Sequence, residues 1–172
     1  MNEKTKTTLK AWPTITAATI GLCFLTQGVA KLFGIDLPDQ HNVELVRHWL
    51  EHAFDSPKNF GTCAFLLAQV LALLPAIEEV TFRWLLFRLP ARIVPKAGRL
   101  PIAWTLGVVS SALFSAAHYI AQPFPDAAFI ALFFFGLAQC WLYRKTDRIW
   151  CPMLNHFLFN LTNLVLMFVL PE

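Results

Sequence analysis

The chain has 172 residues, 56% hydrophobic and 15% charged, with a net charge of +3 and a mean hydropathy of +0.52. A soluble domain of this length would carry about a quarter charged residues, so the composition excludes an ordinary soluble enzyme and points to a membrane protein. The length suits one membrane-embedded domain, residues 1–172, rather than two.

Five apolar runs, roughly 12–35, 59–77, 101–122, 125–143 and 149–170, each approach the ~20 residues needed to cross about 30 Å of hydrocarbon. Their flanks set an orientation. Lys4, Lys6 and Lys10 precede the first run. Arg88, Arg92, Lys96 and Arg99 lie between the second and third, and Arg144, Lys145 and Arg148 between the fourth and fifth. The opposite segments hold Asp36, Asp39, Glu44, Glu51, Asp55 and Asp126, with only Arg47 and Lys58 as bases. The positive-inside rule then predicts a cytoplasmic N-terminus and five spans. The first run also has signal-peptide features, with small residues in "QGVA" before Lys31; its length and the four spans that follow favour a retained helix.

Between the first two runs, "HNVELVRHWLEHAF" places Val46, Trp49, Leu50 and Ala53 on one helical face and His41, Glu44, His48, Glu51 and His52 on another. This predicts an amphipathic helix on the outer surface. His48 and His52 have metal-ligand spacing, with His41 two turns away, but a solvated polar face is the favoured reading. The second run continues through "EEVTFRWLLFRL", and a helix over 59–89 would be about 45 Å long. Pro75 is expected to kink or break it, or its Arg-rich end emerges into the cytoplasm. The prolines of "FRLPARIVPKAGRLP" read as a cytoplasmic connector that contacts anionic lipid heads. Cys23, Cys63, Cys140 and Cys151 form no CxxC pair and read as small packing residues. The fold class is therefore all-α: a polytopic transmembrane bundle of about five to six helices.

Ionisable groups inside spans are costly, so each is a functional candidate. Five stand here, Glu78, Glu79, Arg83, His118 and His156, together with the strongly polar Asn160. Glu79 and Arg83 are four apart and can pair as a structural salt bridge. Glu78 lies about 100° round the helix without that partner. An unpaired buried carboxylate tends to hold its proton more tightly, as a general base working near neutral pH requires. Phe114 sits one turn before His118, where its ring can orient the imidazole, and Ser115, Ala116 and Ala117 allow close helix approach. His156 and Asn160 share a face and offer two donors for a developing oxyanion. Asn155 and Asn163 face elsewhere and read as packing polars. Counting from interfacial tryptophans, Glu78 and His156 lie six residues inside Trp84 and Trp150, about 9 Å deep. His118 lies fourteen residues from Trp104, about 21 Å. For one site, the third span must tilt or begin below the surface.

The set is plausible for activating water. There is no HExxH zinc motif, no phosphate loop and no nucleic-acid-binding pattern. Taken in order, EExxxR (Glu78 to Arg83), FxxxH (Phe114 to His118) and HxxxN (His156 to Asn160) closely resemble the CPBP family. This is the group of CAAX prenyl endopeptidases and bacteriocin-processing membrane proteases, also called Abi proteins. The resemblance covers about 59–165, taken as the catalytic core, and implies a glutamic intramembrane endopeptidase. By it, Glu78 activates the hydrolytic water with His118 assisting, His156 and Asn160 form the oxyanion hole, and Glu79, Arg83 and Phe114 support the site. Trp84 replaces a glycine common after the family's arginine. The family has also been viewed as metal-dependent. Because asparagine suits an oxyanion better than a metal, and no close-spaced ligand pair is present, the reading calls for no metal and no cofactor.

The implied partners are the bilayer and a membrane protein or peptide precursor, such as a leader, a bacteriocin or a C-terminal sorting tag, and no nucleic acid. The implied location is a bacterial inner membrane. The oligomeric state has no sequence signal. Two other classes were weighed. A non-catalytic immunity or scaffold protein needs neither Glu78 nor both histidines. A transporter would show paired internal repeats, and none is seen.

Overall fold

The computed structural model describes residues 2–35, 41–93, 100–121 and 128–169, with backbone alone at 41–45, 100, 121, 167 and 168. Asp36, Asp39, Lys96, Arg99 and Asp126, with the side chains of His41 and Glu44, lie outside what is described. The described residues contain six helices and no strand: α1 (Glu3–Leu32), α2 (His41–Glu51), α3 (Pro57–Ile93), α4 (Leu100–Ala121), α5 (Ala128–Thr146) and α6 (Trp150–Val169). The all-α bundle expected from the apolar runs is present.

Each end follows from local chemistry. Asn2 accepts from the backbone N–H of Thr5 at 2.8 Å and so caps α1. Glu3 in its first turn and Lys31 in its last suit the helix dipole. Gly34 adopts φ +69°, a left-handed conformation open to glycine, where the chain leaves α1. Ser56 caps α3, accepting from the Asn59 N–H at 3.1 Å, with Pro57 at the first helical position. In α2, Val46, Trp49 and Leu50 are half-buried while His48, Glu51 and His52 face out, so the helix is amphipathic, as its spacing predicts.

Three helices, Glu3–Leu32, Pro57–Ile93 and Pro101–Ile120, are long and apolar enough to cross a membrane. Large apolar side chains stand outside the bundle, among them Leu25, Phe65, Ile77, Val109 and Phe134. Such a surface belongs in lipid. α5 lies at the centre, packed against α1, α3, α4 and α6. Its protein-facing position explains how it carries the buried polar Gln139. The central cluster joins Ile15 of α1, Phe114 of α4, Phe135 of α5 and Phe159 of α6.

One expectation is revised. α3 runs through Pro75 without a break and through Phe87–Ile93, so part of the expected loop is helix. Two stretches with wider turns, Gln69–Leu73 and Glu79–Arg88, flank the segment Leu74–Glu78. In them the bonds run five residues back, a register that absorbs a proline and is frequent at functional sites. A second close approach of α4, besides the one expected at Ser115, Ala116 and Ala117, is made at Ser111. A methyl group at Gly136 of α5 would stand 2.9 Å from Ser111 Cβ and 3.2 Å from Ser111 Cα. Ser115 donates to the Phe129 carbonyl of α5 at 2.6 Å, and Ser110 to the Phe82 carbonyl of α3. In a membrane such close packing and hydrogen bonding hold helices together.

One contact the sequence reading overlooked closes the end of the bundle. Asp147 ends α5 in the left-handed region (φ 51°), with its N–H on the Tyr143 carbonyl at 2.7 Å. Its carboxylate accepts from Arg88 Nε at 3.0 Å and from Arg92 Nη2 at 3.1 Å, both on α3. Partial burial works to raise the Asp147 pKa, but these two arginines hold it below the usual carboxylate range. A depressed carboxylate pKa stabilises the fold above the unfolded value, near 4, and that stability is lost as pH falls through the folded value. Because the group is half exposed, solvent screening limits its worth to roughly 1 kcal/mol or less. The thermal midpoints of wild type and Asp147→Asn should differ by a few degrees at pH 7, and the difference should shrink as the pH is lowered below about 4. Equal midpoints at pH 7 would remove this pair from the account.

Candidate active site

α3, α4 and α6 each send polar groups to one place. The sequence register alone suggests different depths, yet the Glu78 carboxylate lies 3.8 Å from His118 Nε2 and 3.7 Å from His156 Nε2. The three side chains therefore meet in one site despite their different sequence distances from the nearest tryptophans. Glu78 is not sealed in the interior: its side chain is 26% accessible and that of His118 30%, against 5% for His156. The carboxylate therefore stands at the mouth of the site with an imidazole on either side. Separations of 3.7–3.8 Å exceed a direct hydrogen bond, and polar groups so spaced are commonly bridged by water.

Behind Glu78 the site is dry and charged. Glu79 and Arg83 are wholly buried, with Arg83 Nε 3.2 Å from Glu79 Oε2. That approach is off the N–H axis, since neither atom has a hydrogen-bond partner among the described residues. The contact is thus ionic. The guanidinium lies over the Phe114 ring, 4.5 Å from its centroid, a favourable cation–π placement. Glu79 Oε1 meets His156 Nδ1 at 3.0 Å. An N–H at Nδ1 directed to Glu79 orients the ring and leaves Nε2 facing Glu78.

The histidines are held from their other sides too. His118 Nδ1 is 2.9 Å from the Phe114 carbonyl, and its ring lies 4.5 Å from the Phe114 ring. His156 meets Phe135 edge-on at 5.0 Å and Phe114 at 6.1 Å. Phe114 thus touches both imidazoles and Arg83, more than its predicted role beside His118.

Asn160 shares this side of α6, and its Nδ2 donates to the Val70 carbonyl at 2.9 Å. Asn155 donates to Gln139 of α5 at 3.2 Å, which suits its reading as a packing polar, whereas Asn163 is exposed and donates to the Phe159 carbonyl of its own helix at 3.1 Å. The surrounding contacts of Phe135, Val70 and Gln139 went unread because apolar rings, a backbone carbonyl and a lone glutamine give no motif. Two glutamates and two histidines are sound zinc ligands by type; among the described residues no group of three such side chains is arranged to hold a metal ion. His48 of α2 and His52 just after it lie apart from this site, their ring centroids 4.7 Å from each other.

A family model described as type II CAAX prenyl endopeptidase Rce1-like matches residues 60–162. The chain belongs to the Rce1-like family. The matched segment spans Glu78, Glu79, Arg83, Phe114, His118, His156 and Asn160, so the whole polar cluster lies inside it. No curated protein and no solved structure matches the chain. With its apolar helices, this Rce1-like chain is a membrane protein whose family is one of CAAX-type membrane proteases.

Proposed function

We propose that this chain is a glutamate-dependent intramembrane endopeptidase. The observation that carries the reading is the accessible Glu78 carboxylate between two imidazole Nε2 atoms at 3.8 and 3.7 Å. A water beside Glu78 gives its proton to the carboxylate and attacks the scissile carbonyl carbon. The carbonyl electrons move onto oxygen, which Asn160 stabilises through its amide N–H and His156 through an Nε2–H, in the ring form that carries a proton on both nitrogens and keeps its Nδ1–H on Glu79. The proton then passes from Glu78, with His118 assisting, to the leaving nitrogen as the C–N bond breaks. Glu79 and Arg83 hold His156 in register and stay outside the reaction.

The substrate is a membrane-associated protein or peptide precursor, because the site opens among lipid-facing helices. The candidates are a leader, a bacteriocin precursor and a C-terminal sorting tag. The charge pattern supports a bacterial plasma membrane with the N-terminus in the cytoplasm. The test compares membrane-protein termini by mass spectrometry in host cells that express wild type or Glu78→Gln at equal levels. A terminus present only with wild type is expected and names the substrate. Identical termini, with the cellular phenotype kept by the variant, would replace this reading with a scaffold or immunity role.

A further inference from the structure

The helix carrying Glu78 has a proline one turn before it, and its consequence lands on Asn160. The backbone N–H of Leu74 donates to the Gln69 carbonyl, five residues back. In that register the next bond would run from residue 75 to the carbonyl of Val70. Residue 75 is a buried proline and has no N–H. The Val70 carbonyl is thereby released within an apolar helix, where an unmet acceptor costs several kcal/mol. Its partner comes from another helix: Asn160 Nδ2 on α6, at 2.9 Å.

We propose that Pro75 is a positioning residue for Asn160. By withholding an N–H, it keeps the Val70 carbonyl open to the asparagine amide, and that bond fixes the plane of the amide. A primary amide carries two N–H groups. With one held by Val70, the direction of the other is set as well, one turn along α6 from His156. The donor that the proposed mechanism needs is therefore oriented by a gap in the backbone of the very helix that bears the base. The catalytic importance of this link rests on the proposed function; the link itself does not.

Pro75→Ala supplies the missing N–H. That N–H competes with the Asn160 amide for the Val70 carbonyl and loosens the amide's hold, while removing a helix-interior proline leaves the fold intact, as an unchanged or raised thermal midpoint would verify. Two readouts follow in detergent micelles. In protein labelled with ¹⁵N-asparagine, the side-chain amide signal of Asn160 (assigned by its loss in Asn160→Ala) should shift in Pro75→Ala and exchange faster with solvent. An unmoved signal would overturn the link whether or not the chain is a peptidase. On the substrate found by terminus mapping, Pro75→Ala should lower kcat about tenfold, a fraction of the 10²–10³ lost with a whole oxyanion donor, with KM nearly unchanged. In the Asn160→Ala background it should have no further effect. An equal loss in both backgrounds, or a shifted amide signal with kcat intact, would overturn the positioning role. Absence of peptide hydrolysis by wild type would instead count against the proposed function and leave the amide result standing.

Discussion

Glu78→Gln should lower kcat by about 10³–10⁴-fold, with KM within a few-fold of wild type and no loss of thermal stability. The magnitude is that of a general base removed from a proton-transfer step. Glutamine keeps the size and polarity of the side chain, and the position is partly accessible, so no buried charge is stranded. KM holds because a group needed only in the transition state contributes little to ground-state binding. Steady-state kinetics on the mapped substrate would check this. A loss below tenfold would move the base to His118, the other accessible group at the carboxylate.

The second large effect is on stability. Arg83 and Glu79 are both fully buried and 3.2 Å apart. Removing one partner strands the other charge away from water, a change that typically costs 3–5 kcal/mol. Arg83→Met should therefore lower the thermal midpoint in detergent steeply and leave Glu79 with His156 alone. Replacing both charges, Glu79→Leu with Arg83→Met, should recover most of that stability, because a paired deletion leaves no unpaired charge. It should not recover activity, since His156 Nδ1 loses the carboxylate at 3.0 Å that orients it. A double variant as unstable as Arg83→Met alone would assign the cost to lost packing over Phe114 instead.

The parts of this site that were legible in the sequence were those with a large penalty for existing at all. Glu78, Glu79, Arg83, His118, His156 and Asn160 stood out because charge and amide groups in apolar runs need a reason. Their order along the chain also matched the family later shown. The meeting of His118 with Glu78 and His156 was not legible, because the distance of a residue from an interfacial tryptophan along one helix does not fix how the helices are tilted and set against one another. Glu78 was expected to be buried, yet its side chain is 26% accessible, and both its imidazole neighbours come from helices distant in sequence. Pro75 was visible, but the wider turns that carry α3 past it have no pattern of their own. Asp147 was lost among the basic residues of its turn, although it accepts from two arginines more than fifty positions earlier.

Water activation at Glu78 is tested most directly by a single turnover in H₂¹⁸O, with enzyme in excess over the mapped peptide. The account predicts one ¹⁸O in the new C-terminal carboxylate of the product and none in Glu78. Label appearing in the Glu78 carboxylate would show that this side chain attacks the peptide itself, and would contradict the account.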